Sequence, residues 1–374
     1  MKELYNPFLV LGYADHEYFC GRDTEKKDLI SALKNGRNIT LMSPRRMGKT
    51  GLIQDAFWQI RKEDKKCACF YIDIFATKSL SDFTSLLGKS IIGKLDSNTK
   101  KAANFIADFF KSCKVVFSTE ITTGLPQASL DFAPEDTKST LEEIFAYIKA
   151  SEKECVIAID EFQQIIEYPE KETEALLRSY VQFCPNVHFI FSGSKQHMMA
   201  EIFNSAARPF YRSTEKMTLD PIPEETYYKF ANKWMKKNNI KLSKEIFGDI
   251  YKMVEGHTWY MQYILNKLYE ISPEEITKTD ICKCISKIIE TETENYQRIY
   301  NFLTINQAQL LIAVAKEHEV PAITANAFIK KHNLKGASSI NKALEQLIDK
   351  ELVFRTENGY RAYDRFMEIW LRQL

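Results

Sequence analysis

The chain holds 374 residues, 45% apolar and 27% charged, and its 51 basic side chains nearly cancel 50 acidic ones to leave a formal charge of +1. At about 100–200 residues per domain, this length calls for two or three domains with ample core material, which excludes a disordered chain. The charge balance excludes a uniformly basic nucleic-acid binder, though not a local basic patch, and no apolar run approaches the ~18 residues needed to cross a bilayer.

Met1 to Pro7 lacks the long apolar stretch of a secretory signal, so a cytoplasmic location with no membrane partner is expected. The eight cysteines, at 20, 67, 69, 113, 155, 184, 282 and 284, form two C-x-C pairs and no C-x-x-C. Buried thiols are expected, and neither a zinc ribbon nor a redox dithiol fits that spacing.

In chain order, Asp23 is placed to cap a helix carrying Leu29, Ile30 and Leu33 on one face, with Gly36 at its end. Ile39 to Met42 reads as a buried strand. Ser43-Pro44-Arg45-Arg46-Met47-Gly48-Lys49-Thr50 follows, and then a helix with Leu52, Ile53, Ala56, Phe57 and Ile60 at helical spacing. Cys69 to Phe75 is a second strand, 79–113 reads as helical, and 114–137, with Gly124, Pro126 and Pro134, reads as an inserted loop or hairpin. A helix resumes over Leu141 to Lys149, and Val156 to Ile159 runs as a strand into Asp160-Glu161. A helix around Glu172 to Phe183 leads to a strand from Val187 to Phe191, and Met217 to Leu219 is a short candidate strand. Strands alternating with helices over 36–220 specify a parallel sheet covered on both faces. Glu224 to about Tyr300 is helical throughout. The tail carries helices near 306–317, 324–332 and 337–350, then two short strands about Glu357-Asn358-Gly359, the pattern of a winged helix-turn-helix.

Two motifs carry chemistry. Gly48, Lys49 and Thr50 fit the end of the G-x-x-x-x-G-K-[ST] phosphate-binding loop, flanked by a strand and a helix as that loop requires, with Ser43 in place of the first glycine. The loop of Ser43, Pro44, Arg45, Arg46, Met47, Gly48, Lys49, Thr50 and Gly51 is expected to cradle the phosphates of ATP with the backbone N–H groups it offers, and Lys49 to reach the terminal phosphates. Asp160 and Glu161 stand where a buried strand delivers carboxylates to its carboxyl end. Asp160 and Thr50 are expected to hold Mg²⁺, and Glu161 to polarise the attacking water. The next strand ends in Phe191-Ser192-Gly193-Ser194, whose serines are candidates to sense the γ-phosphate.

G-R-D-x-E at 21–25, S-P-R-R-x-G-K-T, the apolar run into Asp160-Glu161, F-S-G-S, and R-P-F-Y-R at 208–212 followed by L-D-P-I together resemble the archaeal-type ATPase family. That family lies among the signal-transducing ATPases with numerous domains, near the AAA+ proteins. The resemblance implies an α/β fold: a P-loop core over 1–222 with an insertion near 98–140, an all-helical lid over 223–300, and a winged helix over 301–374. It implies ATP hydrolysis used as a conformational switch, with Arg22 near the nucleotide and Arg212 approaching the γ-phosphate in cis or from a neighbouring subunit. Gly256-His257-Thr258-Trp259-Tyr260 resembles the family's G-H-P lid motif with Thr258 in place of proline. The partners expected are ATP and a protein partner or a second copy. Duplex DNA is the less favoured alternative, because residues 301–374 hold ten basic and eight acidic side chains. A nucleotide-binding scaffold without turnover is the other alternative, and a small-molecule kinase is less favoured still.

Overall fold

A computed structural model describes residues 4–92, 94–95, 106, 109–119, 126–151 and 153–374. The chain divides into two compact units.

One unit, Leu9–Tyr227 with His257–Trp259, is built on a five-stranded parallel sheet in the order β2-β5-β6-β1-β7. Its strands are β1 Ile39–Met42, β2 Ala68–Asp73, β5 Cys155–Asp160, β6 Val187–Gly193 and β7 Glu215–Thr218. β5 is buried at every residue, because helices cover both faces and a strand so placed must be apolar throughout. Its residues divide by pleat. Val156 and Ala158 pack with Leu29 and Leu33 of α1 (Asp23–Lys34) and with Leu52, Ile53 and Phe57 of α2 (Lys49–Glu63). Ile157 and Ile159 face Phe83 and Leu87 of α3 (Leu80–Ile91) and Ile144 of α4 (Thr137–Ala150). Helices α5 (Thr173–Gln182) and α6 (Gln196–Asn204) complete this layer. The sheet is thus the two-faced parallel sheet that the alternation implied.

The expected helix over 79–113 is described only in part: α3 occupies its start, and 96–105 lie outside the described residues. The inserted stretch does contain a hairpin, with β3 Lys114–Thr119 antiparallel to β4 Pro126–Asp131.

The second unit comprises Met1–Phe8, Tyr228–Gly256 and Tyr260–Leu374. It is helical apart from one hairpin: α7 Glu224–Lys237, α8 Lys244–Met253, α9 Thr258–Ile271, α10 Lys278–Asn301, α11 Ile305–Glu317, α12 Asn326–Lys331, α13 Ala337–Asp349 and α14 Arg365–Leu371. Capping boxes start two of them. Thr277 and Asp280 open α10, and Thr304 and Gln307 open α11, each pair satisfying two helix-end donors reciprocally. α11, α12 and α13 with the hairpin β8 (Val353–Arg355) and β9 (Tyr360–Ala362) form the winged helix. Val320 adds an antiparallel bridge to Tyr360, so the wing has a third edge. The short α14 was not expected from the sequence. It packs its Trp370 ring against Tyr296 and Tyr300 of α10, at 5.8 and 6.0 Å between centroids.

Candidate active site

β1 ends at Met42 and the chain turns through Ser43–Gly48 into α2. The turn needs two left-handed residues, Arg46 (φ 65°) and Gly48 (φ 95°), and at Gly48 the absent Cβ makes that conformation cheap. Ser43 is not among the residues at positive φ and is fully buried, so a serine accepts the first-glycine position without backbone strain. α2 begins with no side-chain cap and no acid in its first turn. Its opening N–H groups and positive dipole end are therefore left for an anion. One turn in, Gly51 lets the Phe19 ring lie where a Cβ would meet it at 2.8 Å.

Lys49 is 6% exposed, and its ammonium folds back onto the loop, donating to the carbonyls of Ser43 (3.0 Å) and Pro44 (3.2 Å). Burial lowers its pKa against the opposing pull of Asp160 and Glu161. The ammonium is desolvated and lacks a full counter-charge, the state that a phosphate relieves.

The register of the sheet sets Asp73 of β2 beside Asp160 of β5, and Ser192 of β6 beside Leu41 of β1. Asp160 is buried. Its Oδ2 accepts from the Thr50 hydroxyl at 3.2 Å and from the Tyr71 hydroxyl, and its Oδ1 accepts from the Glu161 N–H at 3.0 Å. Glu161 sits in the left-handed region (φ 55°), and its carboxylate accepts from Ser194 Oγ at 2.8 Å and from the Gln163 amide. Arg45 Nε reaches the same serine oxygen at 3.4 Å. Ser192 Oγ is buried and, among the described residues, has no hydrogen-bond partner. Arg22, also buried and left-handed (φ 64°), donates to the carbonyls of Met47 (3.1 Å) and Asp220 (2.6 Å), so it braces the loop from behind.

The structure thus brings Lys49, Thr50, Asp160, Glu161 and Ser194 together at one end of the sheet. Arg212 is not in this cluster: it is exposed at φ 53°, with its guanidinium 5.2 Å over the Tyr211 ring. Two of the residues flagged in the G-H-T-W-Y stretch do touch the loop. Thr258 Oγ1 donates to the Met47 carbonyl (3.3 Å), and the Arg46 guanidinium lies 4.2 Å over the Trp259 ring.

Sequence reasoning missed Tyr71, Asp73 and Gln163. Burial raises the Tyr71 hydroxyl pKa, with the Asp160 charge adding to it, so the phenol stays a donor. Burial likewise raises Asp73, helped by the charges of Asp160 and Glu161. A signal for the first two was present: Tyr71 and Asp73 alternate along an otherwise apolar strand, which puts both on one face near its carboxyl end.

This fold and this loop, with paired acids at the end of a neighbouring strand, define a P-loop ATPase core. The chain belongs to the family described as ATPase domain predominantly from Archaea, whose model matches residues 19–264. A second model, a probable winged helix domain, matches residues 294–373. Among solved structures the chain is similar to the Walker-type ATPase PABY2304 of Pyrococcus abyssi, with TM-score 0.67 and 16% identity over 98% of this chain and 99% of that one. It is also similar to the Aeropyrum pernix ORC2 protein in its ADPNP–ADP complexes, with TM-score 0.56 and 13% identity over 96% of this chain and 95% of that one. The Aeropyrum pernix ORC1 protein in complex with DNA aligns at TM-score 0.54 and 10% identity, over 98% and 96% of the two chains. No curated protein sequence matches the chain. Among the described residues, no helix is long and apolar enough to cross a membrane.

Proposed function

We infer that the chain binds ATP with Mg²⁺ at this loop and hydrolyses it to switch conformation. The observation that carries the reading is the Thr50 hydroxyl on Asp160, with the desolvated Lys49 ammonium and the Glu161 carboxylate at the same sheet end. Thr50 and Asp160 offer the hard oxygen ligands that suit Mg²⁺, and the unpartnered Ser192 hydroxyl beside them fits a site awaiting a polar group. Bound there, the metal neutralises charge on the phosphate oxygens.

The chain's own groups do the rest. Lys49 exchanges the Ser43 and Pro44 carbonyls for the terminal phosphates, and the open N–H groups of α2 take the phosphate oxygens. Glu161 accepts a proton from water attacking the γ-phosphorus, while Ser194 and Gln163 hold its carboxylate in one orientation. As Lys49 leaves the loop carbonyls, Met47 and Arg46 transmit the change to Thr258 and Trp259, the residues that open α9. We assign Arg212 only a conditional part, as a group brought to the γ-phosphate by a neighbouring copy.

The test separates binding from turnover. Glu161→Gln should bind ATP with its Mg²⁺ dependence intact while turnover falls by about 10²–10⁴, the range of a positioned general base. Asp160→Asn should instead weaken Mg²⁺-dependent binding. Unchanged turnover in Glu161→Gln removes that residue as base, and no turnover by the unmodified chain makes it a nucleotide-binding scaffold.

A further inference from the structure

β2 is an outer strand of its sheet, and a cavity of about 630 Å³ runs along it from Cys67 to Tyr71. Asp73 marks the phosphate-loop end of this strand, and no residue of the loop 43–51 is among the described residues lining the cavity. Three separate stretches of chain build its mouth. Arg61, Lys65 and Lys66 come from the end of α2, Lys94 from beyond α3, and Lys153 from the approach to β5. No carboxylate is among the described residues that line it.

The helix dipole explains part of this charge. Arg61 lies in the last turn of α2, where a cation is favoured, and its guanidinium is spent on the Cys69 carbonyl at 2.8 Å. Lys153 donates to the Leu95 carbonyl. The explanation stops there, because the dipole's effect fades within the last turn, and Lys65, Lys66 and Lys94 lie past their helix ends. These three ammonium groups make no ion pair among the described residues, yet they border one concavity. Together they gather positive charge around one concavity, an arrangement that favours an anion shared among them.

Size and chemistry select the anion. The volume falls within the range of about 300–1,000 Å³ typical of small-molecule sites, and the floor is partly apolar, with Cys69 and Phe70 buried. Lysines act as mobile point charges that suit phosphate oxygens, whereas planar, bidentate recognition of carboxylates favours arginine. The Ser90 hydroxyl donates to the Leu86 carbonyl (2.8 Å), which leaves its oxygen as an acceptor for a ligand N–H or O–H. We propose that this cavity is a second anion site, distinct from the nucleotide loop, that binds a small ligand bearing several phosphate charges.

The test uses inorganic tripolyphosphate as probe and Lys49→Ala as background, so that the nucleotide loop contributes nothing and a failure of the ATPase reading leaves this result intact. Calorimetry at low salt should find one bound tripolyphosphate per chain. Adding Lys65→Ala, Lys66→Ala and Lys94→Ala, all at exposed positions that folding tolerates, should weaken it at least tenfold. A second readout is local: Cys67 lines the cavity and is half-buried, while Cys282 is exposed elsewhere. Tripolyphosphate should slow alkylation of Cys67 several-fold and leave Cys282 unaffected. Equal affinity with and without the three lysines, or unchanged Cys67 alkylation, overturns the proposal. Lysine-dependent binding of duplex DNA or polyglutamate without tripolyphosphate binding also overturns it, in favour of a macromolecular partner.

Discussion

Replacing Lys49 by methionine should move stability and nucleotide binding in opposite directions. Lys49 is 6% exposed and its ammonium donates to two loop carbonyls, at 3.0 and 3.2 Å. Two effects compete when it is removed. The desolvation of a buried charge is relieved, and the attraction to Asp160 and Glu161 is lost; burial outweighs that attraction, which is why the lysine's pKa is lowered. Replacing a buried ion pair by apolar residues is commonly neutral to stabilising by about 1–4 kcal/mol; Lys49 is in no direct ion pair among the described residues, so with two carbonyls losing a donor about 1 kcal/mol is expected for Lys49→Met. For a unit of this size that raises the melting temperature of nucleotide-free protein by about 2–4 °C. Binding should suffer far more. Removing one partner of a buried, hydrogen-bonded charge contact costs about 2–5 kcal/mol, or roughly 30- to 4,000-fold in Kd. Mg·ATP at 100 times the unmodified Kd stabilises that chain by about 2.7 kcal/mol, but should stabilise Lys49→Met by no more than about 0.9 kcal/mol. Thermal unfolding with and without Mg·ATP reads both. The reasoning fails if the nucleotide-free variant melts lower than the unmodified chain, or if the full nucleotide-induced shift survives.

Ser43→Gly should leave Mg·ATP affinity within about threefold, since no strain is present to relieve, and should cost about 0.5–1 kcal/mol in chemical denaturation through backbone entropy. Asp55 is fully buried and holds Lys26 (2.8 Å), His16 (2.8 Å) and Tyr13 (2.9 Å), so Asp55→Ala should destabilise by about 3–5 kcal/mol, with Lys26→Met added in the same chain recovering much of the loss. Burial alone would raise the Glu255 carboxyl, but the Arg361 hydrogen bond and the Arg365 charge outweigh it and hold the pKa at about 2. Between that value and the ordinary range near 4.3 the unfolded chain binds more protons, so this stability is complete above about pH 5 and lost toward pH 2. Urea midpoints across that window should fall less steeply for Glu255→Gln than for the unmodified chain.

What the sequence revealed of the site was what lies close together along it. The loop from Ser43 to Thr50 and the run into Asp160-Glu161 are local patterns whose chemistry follows from residue type and order. The partners that set their geometry come from afar: Arg22 reaches Met47, Tyr71 reaches Asp160, and Ser194 reaches Glu161, each across 25 to 89 positions. No periodicity encodes such pairs; the parallel register that sets β2 and β6 on either side of β5 brings Tyr71 to Asp160 and Ser194 to Glu161. Ser43 shows the converse. As a letter it departs from the glycine pattern, and only the backbone angle explains why serine serves there. The short α14 escaped notice because seven residues give too few turns for a helical period to stand out, even though Asp364 caps it through two backbone N–H groups.

The same dependence on distant partners bears on what the winged helix can bind. Its ten basic residues against eight acids leave little surplus, and the structure shows where much of that basic charge goes. Arg361 and Arg365 are buried and pair with Glu255; Arg365 and Arg372 also pair with Glu368, and Lys331 pairs with Glu317. His318 lies between Glu255 and Glu368, at 2.6 Å from each. These groups join the stretch after α8 to the wing and to α14, and a phosphate could claim them only by leaving Glu368, 3% exposed, without its partners. Along α13 and its C-cap the exposed charges are Lys342 and Lys350 against Glu345 and Asp349, which cancel. Each phosphate a protein neutralises adds about 0.9 to the slope of log affinity on log salt, so this face supports at most a shallow slope. The arginines that would suit a duplex serve instead to fix the wing to its own unit, so under the proposed switch a protein partner fits this domain better than DNA does.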